Sequence, residues 1–360
     1  MSTNWPPSDW IRLDRIVGNG AGIIGRLNAG GTQWPVTMEP EAPLTGSSWL
    51  TSALTALVET PRDEFARHAN VGWAARVALR GIDAALPMAR WLGLHRAVIV
   101  NNTLFSVSLV GSGSIPGLLA AVGEAARRWP DRMILARGVM APADSLRLAV
   151  APCGGHIIPH RISYVFDLRD GQTPRKVNFE RDLAFLRKQG LFQVPHEAFT
   201  PRFLAEAHWQ YRNLYVIRHG AGNPDFDPEF FVRAHRDNAV EFIGLADEAG
   251  LASFAALRDH GEFLSVPLLG YRSTDARQVG HYRMIFAHIL ELIAKRRRSV
   301  NFGAGAGQFK RLRGGVAAIE NMVLVPPGRT ALGLSVRAAL AAAEHRLDRW
   351  IPKAILAHGG

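Results

Sequence analysis

Between residues 240 and 272 three apolar runs are separated by tight turns at Gly250 and Gly261. Turns this short leave only hairpin connections, so the segment predicts an antiparallel meander of strands 240–247, 252–259 and 262–272. The helical period then takes over at 279–295, and 299–302 reads as another strand. The order of strands, crossover helix and strand places the chain in the α/β (α+β) class, with mixed, mostly antiparallel sheet flanked by helices.

An upstream stretch echoes this order. Residues 97–110 read as a strand pair, 115–129 as a helix ended by Pro130, 133–139 as a strand, 143–150 as a short helix and 157–168 as a strand. Each half thus offers strands, a crossover helix, a strand, a short helix and a final strand, the pattern of a tandem duplication. Ahead of the first half, residues 1–45 are rich in Gly and Pro without sustained period and predict an irregular segment with one strand at 11–17. A helix at 48–59 follows it. The polar stretch 169–176 reads as the linker, and helices are expected at 177–189, 201–217 and 229–238. The last strand falls at 319–325 and an amphipathic helix at 332–350. The expected units are 1–45, 46–168 (a first domain shaping the acceptor side), 169–330 (a second domain carrying the chemistry) and 331–360.

The length of 360 residues and a hydrophobic fraction of 48% suit two globular domains and exclude disorder, collagen and coiled coil. One cysteine, Cys153, makes no internal disulfide and founds no metal site. No apolar stretch resembles a signal peptide or a membrane span, so the expected location is cytoplasmic. Forty-two Lys and Arg against 31 Asp and Glu give a net charge of +11, which favours anionic partners. Between Gly270 and Gly315 ten basic residues stand against two acidic ones, so +8 of the charge lies in this window.

Gly20, Gly22 and Gly25 match the spacing of a dinucleotide loop, but Gly30, Gly31 and Pro35 leave no room for the helix that would hold the phosphates, so they read as a flexible loop. His281 and His288 lack the carboxylates and spacing of a metal site. Around 272–313 the pattern carries more. A helix start preceded by Arg277 and Gln278, with Val279 and Gly280 opening it, offers unpaired N–H groups to a phosphate. Gly303, Gly305 and Gly307 let a ligand approach the backbone, and Phe309, Lys310, Arg311 and Arg313 follow on one short turn.

The order strand, Arg-x-x-Gly loop, long helix, strand and Ala306-x-x-Phe309-Lys310-x-x-x-Gly314 resembles the end of a GNAT-superfamily N-acyltransferase domain. It is closest to the tandem Fem-type and cellulose-biosynthesis-type acyltransferase relatives, with two such domains in one chain. The resemblance implies two tandem GNAT-like domains and transfer of an acyl group to an amine, with no bound cofactor and no metal. It implies a donor loop of Arg277, Gln278, Val279, Gly280, Gly303, Gly305, Gly307 and Phe309. Lys310 would stabilise an oxyanion or leaving group, and Tyr271 and Tyr282 would shuttle the proton. His281 and Tyr282 after Gly280 are bulky where a pyrophosphate needs backbone access, which brings in a second donor. The co-substrate is acyl-CoA or aminoacyl-tRNA, with Arg272, Arg283, Arg296, Arg297, Arg298, Arg311 and Arg313 as phosphate or RNA contacts. The partners are thus a tRNA or coenzyme A donor and a small-molecule or peptide amine acceptor. A different class remains open, a non-catalytic RNA-binding or anionic-surface-binding protein on the same scaffold. On the catalytic reading, Lys310→Ala lowers turnover while the melting temperature stays nearly unchanged.

Overall fold

The computed structural model describes residues 10–41, 46–60, 62–63, 79–80, 83–84, 86–87, 89–90, 93–141, 143–220, 222–272 and 279–328. Twelve strands form one sheet: β1 Ile11–Arg12, β2 Ile23–Ala29, β3 Thr32–Met38, β4 Val98–Val100, β5 Ile134–Val139, β6 His156–Asp167, β7 Phe192–Val194, β8 Glu241–Asp247, β9 Gly250–Asp259, β10 Phe263–Tyr271, β11 Ser299–Asn301 and β12 Val316–Val325. Their spatial order is β1-β2-β3-β4-β5-β12-β6-β11-β10-β9-β8-β7. Advancing every strand number by six, in a cycle of twelve, turns this order into its own reverse. The sheet therefore has an internal two-fold that relates β1–β6 to β7–β12 and passes between β12 and β6.

The parallel pairs obey the same symmetry. β4 runs parallel to β5, and β10 parallel to β11, while the remaining neighbours are antiparallel. Two residues past the last parallel-paired position stands a glycine with positive φ in each half, Gly138 (78°) within β5 and Gly303 (64°) after β11. At Gly138 a side chain is impossible, because an added Cβ would stand 1.7 Å from the Ser108 carbonyl oxygen. The final strand of each half is exchanged: β6 pairs with β11, and β12 with β5. The two halves consequently share one continuous sheet rather than meeting as separate sheets.

Helices cover the sheet where their apolar faces demand it. The helix Val279–Lys295 buries Met284, Ile285, Phe286, Ile289, Leu290 and Ile293 against the second half, and Ile115–Arg128 buries Leu118, Ala121, Val122 and Ala125 against the first. Each large side chain so buried contributes about 1.5–3 kcal/mol before entropy is counted. The helix Pro201–Tyr211 begins where its sequence dictates: Thr200 Oγ1 accepts the Phe203 N–H at 3.3 Å and Pro201 takes the first position, where no N–H is needed.

Three local expectations need correction, and one strand had none. Residues 1–45 contain a regular hairpin, β2–β3, turned at Gly30 and Gly31 with φ of 57° and 73°. Gly25 and Pro35 interrupt its alternation in the sequence, yet Gly25 packs under the Trp10 ring and Pro35 lies just before the residues that pair with β4. The strand foreseen at 11–17 is only two residues long. The strand pair foreseen at 97–110 is the single short β4 followed by a loop, because Asn101 and Leu104 take left-handed φ of 61° and 60° and the Asn101 amide donates to Ser108 O and Arg137 O. The edge strand β7 had no signal, since three residues are too few to show a period. The helix expected at 332–350 lies outside the described residues.

Candidate functional site

Lys310 is held on the short helix Gly307–Arg311, and its side chain turns inward. It is 2% exposed, and its Nζ donates to the carbonyls of Phe302, Gly303 and Ala304 at 2.9, 3.0 and 2.9 Å. Burial, and then the charge of Arg161, push its ammonium down to about 7. All three protons of the charged form are thus spent on pinning the loop that follows β11. Neighbouring residues lock the same turn: Arg311 Nη1 donates to Tyr164 Oη at 3.0 Å, and an added Cβ on Gly307 would stand 2.2 Å from that oxygen.

The other expected donor contacts are explained by packing. The Phe309 ring lies 4.7 Å from Tyr282 and 5.1 Å from Phe286, with the Arg313 guanidinium 3.4 Å from its centroid. Gly280 faces Phe185, which an added Cβ would approach to 2.7 Å, so its missing side chain serves helix packing. Gly303 lies against Val107 of the first half, while Gly305, with φ of 77°, faces open space. Tyr271 and Tyr282 are ring neighbours at 6.2 Å; burial, then Tyr215 and Tyr271, push the Tyr282 hydroxyl above the usual tyrosine range. Arg277 and Gln278 lie outside the described residues, as does the side chain of Val279.

Five of the ten basic residues in the window are paired with carboxylates in three dimensions. Arg283 Nε donates to Asp182 Oδ1 at 2.6 Å, and Arg313 Nε donates to Asp182 Oδ2. Arg272 pairs with Asp247, Arg296 with both oxygens of Glu241 at 2.6 Å, and Arg298 with Asp259 at 2.8 Å. Arg297 takes a left-handed φ of 51° and packs its side chain over Gly171. The count of +8 measured a stretch of chain, whereas the carboxylates that answer it come from β8, β9 and the helix Val177–Lys188.

A different group of polar residues gathers at the two-fold, and sequence reasoning passed over it. The ladder between β6 and β12 slips between Glu320 and Asn321, where Arg161 and Pro159 are successive partners, so His160 is the extra residue of a bulge in β6. The bulge brings His160 Nδ1 to 3.9 Å from Glu320 Oε1, while Arg161 Nε donates to Glu320 Oε2 at 2.9 Å and Arg161 Nη2 to Ser106 O at 2.6 Å. Burial raises the Glu320 carboxyl, but Arg161, then His160, prevail and hold it at about 2. Burial lowers the His160 imidazole, which is neutral at pH 7, and its Nδ1 is buried with no hydrogen-bond partner among the described residues. The readable signal was a charge inside an apolar strand: Glu320 within AIENMVLV, Arg161 within IIPHRISYVF and Arg137 within ILARGV.

Loops from both halves wall this seam. Ser106 Oγ donates to Pro267 O at 2.7 Å, beside the irregularity between Ser265 and Leu268 in β10. Although β6 is hydrogen-bonded along both edges, Pro159, His160, Arg161 and Ile162 all keep partial solvent access. Among the described residues no group of His, Cys, Asp and Glu is placed to hold a metal, and no helix is long and apolar enough to cross a membrane.

Glu320 sets an acid limit on stability. Its folded pKa, about 2, lies below the ordinary 4.5, so its contribution is present above about pH 4.5 and is lost as pH falls toward 2. Glu320→Gln should unfold in urea at a lower midpoint at pH 7, and its deficit should shrink by up to about 1.4 kcal/mol per pH unit across that window. A deficit independent of pH would show that the charge is not what Glu320 contributes.

No protein-family model and no curated protein matches the sequence. Solved structures match the fold. L-PGS from Bacillus licheniformis aligns over 90% of this chain and 88% of its own, with 10% identity and a TM-score of 0.53. The chain shares the fold of that structure. A C-terminal domain (DUF2156) assigned to a lysylphosphatidylglycerol synthetase from Agrobacterium fabrum aligns over 68% of this chain and 81% of its own at 13% identity and a TM-score of 0.46. A GCN5-related N-acetyltransferase from Kribbella flavida aligns over 65% and 82% at 13% identity and a TM-score of 0.35. The frame shared with L-PGS thus extends over both halves of the chain, and the seam lies at its centre.

Proposed function

We propose that this GNAT-like chain is an acyltransferase that moves an aminoacyl group from its ester on tRNA to a hydroxyl or amine of a small acceptor, with the seam as the reaction site. The observation that carries the reading is His160, the extra residue of a strand bulge, whose buried imidazole Nδ1 stands 3.9 Å from Glu320 in the ion pair with Arg161, where the two halves meet. Correspondence of nearly the whole chain with L-PGS supports it, as does the name lysylphosphatidylglycerol synthetase, which states a lysyl group joined to a phospholipid. Coenzyme A is the less favoured donor, because Phe185 occupies the space beside Gly280 that a pyrophosphate would need.

In this reading the acceptor oxygen or nitrogen attacks the ester carbonyl carbon as His160 takes its proton. Arg161 offers positive charge to the oxygen of the tetrahedral intermediate. The ester C–O bond then breaks, and the ribose hydroxyl of the tRNA leaves with the proton from His160, which returns the imidazole to its starting state.

Mass spectrometry of acceptors incubated with the purified protein and either aminoacyl-tRNA or acyl-CoA tests the reading. Product with aminoacyl-tRNA alone is expected. His160→Gln should lower turnover about 10²- to 10⁴-fold with an unchanged unfolding midpoint. Product with acyl-CoA alone overturns the donor, and product with neither overturns acyl transfer.

A further inference from the structure

β7 lies at one end of the sheet and covers only part of the strand beside it. Phe192, Gln193 and Val194 pair with Ala246, Leu245 and Gly244, whereas β8 begins at Glu241, and among the described residues no strand continues the edge past Val194. The hold of β7 is slight, because Val194 alone of its three side chains is buried and Phe192 is 52% exposed. Where the pairing stops, a side chain takes over from the main chain. The Phe242 N–H, two residues before Gly244 and so on the same edge, donates to Nδ1 of His196 at 3.0 Å. His196 opens the turn His196–Ala198 that follows β7.

The second ring nitrogen is engaged as well, with Nε2 3.0 Å from Asn238 Oδ1. A main-chain N–H can only donate, so Nδ1 accepts, the proton sits on Nε2 and Asn238 Oδ1 accepts it. Together the two bonds select one tautomer of the neutral imidazole. Asn238 holds a left-handed φ of 49° in the turn between the helix Pro228–Arg236 and β8, and its N–H donates to His235 O at 3.1 Å. His235, in the last turn of that helix, donates from Nε2 to His196 O at 2.9 Å and stacks on the His196 ring with centroids 4.3 Å apart. One imidazole thus joins the edge segment, the turn 237–240 and β8.

A proton on Nδ1 is incompatible with this arrangement. Imidazolium has two donors and no acceptor, so the Phe242 N–H would face another N–H. The titratable groups around the ring are His235 on the helix, which opposes a positive charge, and Glu197 on the same turn and Glu241 on β8, which favour it; Glu241 is already engaged by both Arg296 nitrogens. Burial, then His235, prevail and hold the imidazole below the ordinary 6.5. Its contribution is therefore present above pH 6.5 and is lost as pH falls through the folded-state value.

We propose that His196 is a proton-operated latch on the edge of the sheet: neutral, it holds the segment 192–199 and the turn 237–240 against β8; protonated, it releases the Phe242 N–H and lets β7 open from β8. The latch stands whether or not the chain transfers an acyl group, and its readout is local.

Hydrogen exchange of the full chain, resolved by residue with NMR from about pH 7.5 to about pH 4.5 and corrected for intrinsic exchange, reads the latch directly. Protection of the Phe242 amide should fall about fivefold on acidification, the loss of one hydrogen bond, with a midpoint below 6.5 that matches the titration of the His196 ring in the same samples. Amides of the helix Ile115–Arg128 should keep their protection. Long-range proton–nitrogen correlation should show the His196 proton on Nε2 in the neutral form. His196→Asn, whose Oδ1 can stand in for Nδ1 and takes up no proton, should lose the pH dependence; His235→Gln should keep it and move the midpoint up toward 6.5. A neutral form carrying its proton on Nδ1, or a Phe242 amide whose protection ignores the His196 titration, overturns the latch, and neither result needs a variant to fold. A His196→Asn protein with the parent's pH dependence overturns it as well.

Discussion

Lys310→Met should destabilise the protein by about 3 kcal/mol, read as a lower urea midpoint with an unchanged slope. Methionine fills the volume of the lysine stem but leaves the carbonyls of Phe302, Gly303 and Ala304 without their donor, each a buried acceptor with a desolvation cost of about 1–3 kcal/mol, some of it recovered by water. The sequence had led us to expect a loss of turnover at nearly constant melting temperature; the geometry instead makes Lys310 a pin of the loop after β11. A pH series adds a second mark. The folded pKa of about 7 lies below the ordinary 10.5, so between these values the unfolded chain holds the extra proton and the parent gains stability as pH rises. The gap between parent and variant should therefore widen above pH 7, by at most about 1.4 kcal/mol per unit. A midpoint within experimental scatter of the parent's at every pH would show that Lys310 is not the pin.

Asp182→Asn should cost about 3–5 kcal/mol, a large part of the total stability of a typical domain. The carboxylate is fully buried and is the shared partner of Arg283 and Arg313, so removing its charge strands two cations at once. Arg313 also donates to Phe309 O at 3.0 Å, and Arg283 lies over Phe185, so the node ties the helices Val177–Lys188 and Val279–Lys295 to the turn that carries Lys310. Adding Arg313→Met to Asp182→Asn should recover at least half of the loss, because the more buried of the two stranded charges goes with it. A single-variant loss below about 1 kcal/mol would mean that the pair is screened as surface ion pairs are.

The sequence by itself determined the elements with enough residues to show a period. The meander β8–β10 and the helices Ile115–Arg128, Ala143–Val150 and Val279–Lys295 fall within two residues of their expected places, since burial of one face imposes 2.0 or 3.6 residues per repeat over many positions. Short or locally strained pieces escaped it. β7 has three residues, and the loop 101–109 is as apolar as a strand but is bent by left-handed Asn101 and Leu104, while Asn101 donates to Arg137 O and Asn102 to Leu50 O, both distant in the chain.

Only the tertiary structure decided where the charge acts. Counting along the chain placed it in 270–315, yet Arg283, Arg296, Arg298 and Arg313 find their carboxylates on Asp182, Glu241 and Asp259, outside that window. The group at the seam, Arg137 and Arg161 with Glu320, is drawn from three strands, 24 to 183 residues apart in sequence, which the two-fold exchange of β6 and β12 brings together. Periodicity is a local property and is written in neighbouring residues, whereas Coulomb interaction and desolvation depend on distance and burial in the folded molecule, so the frame was legible beforehand and the seam was not.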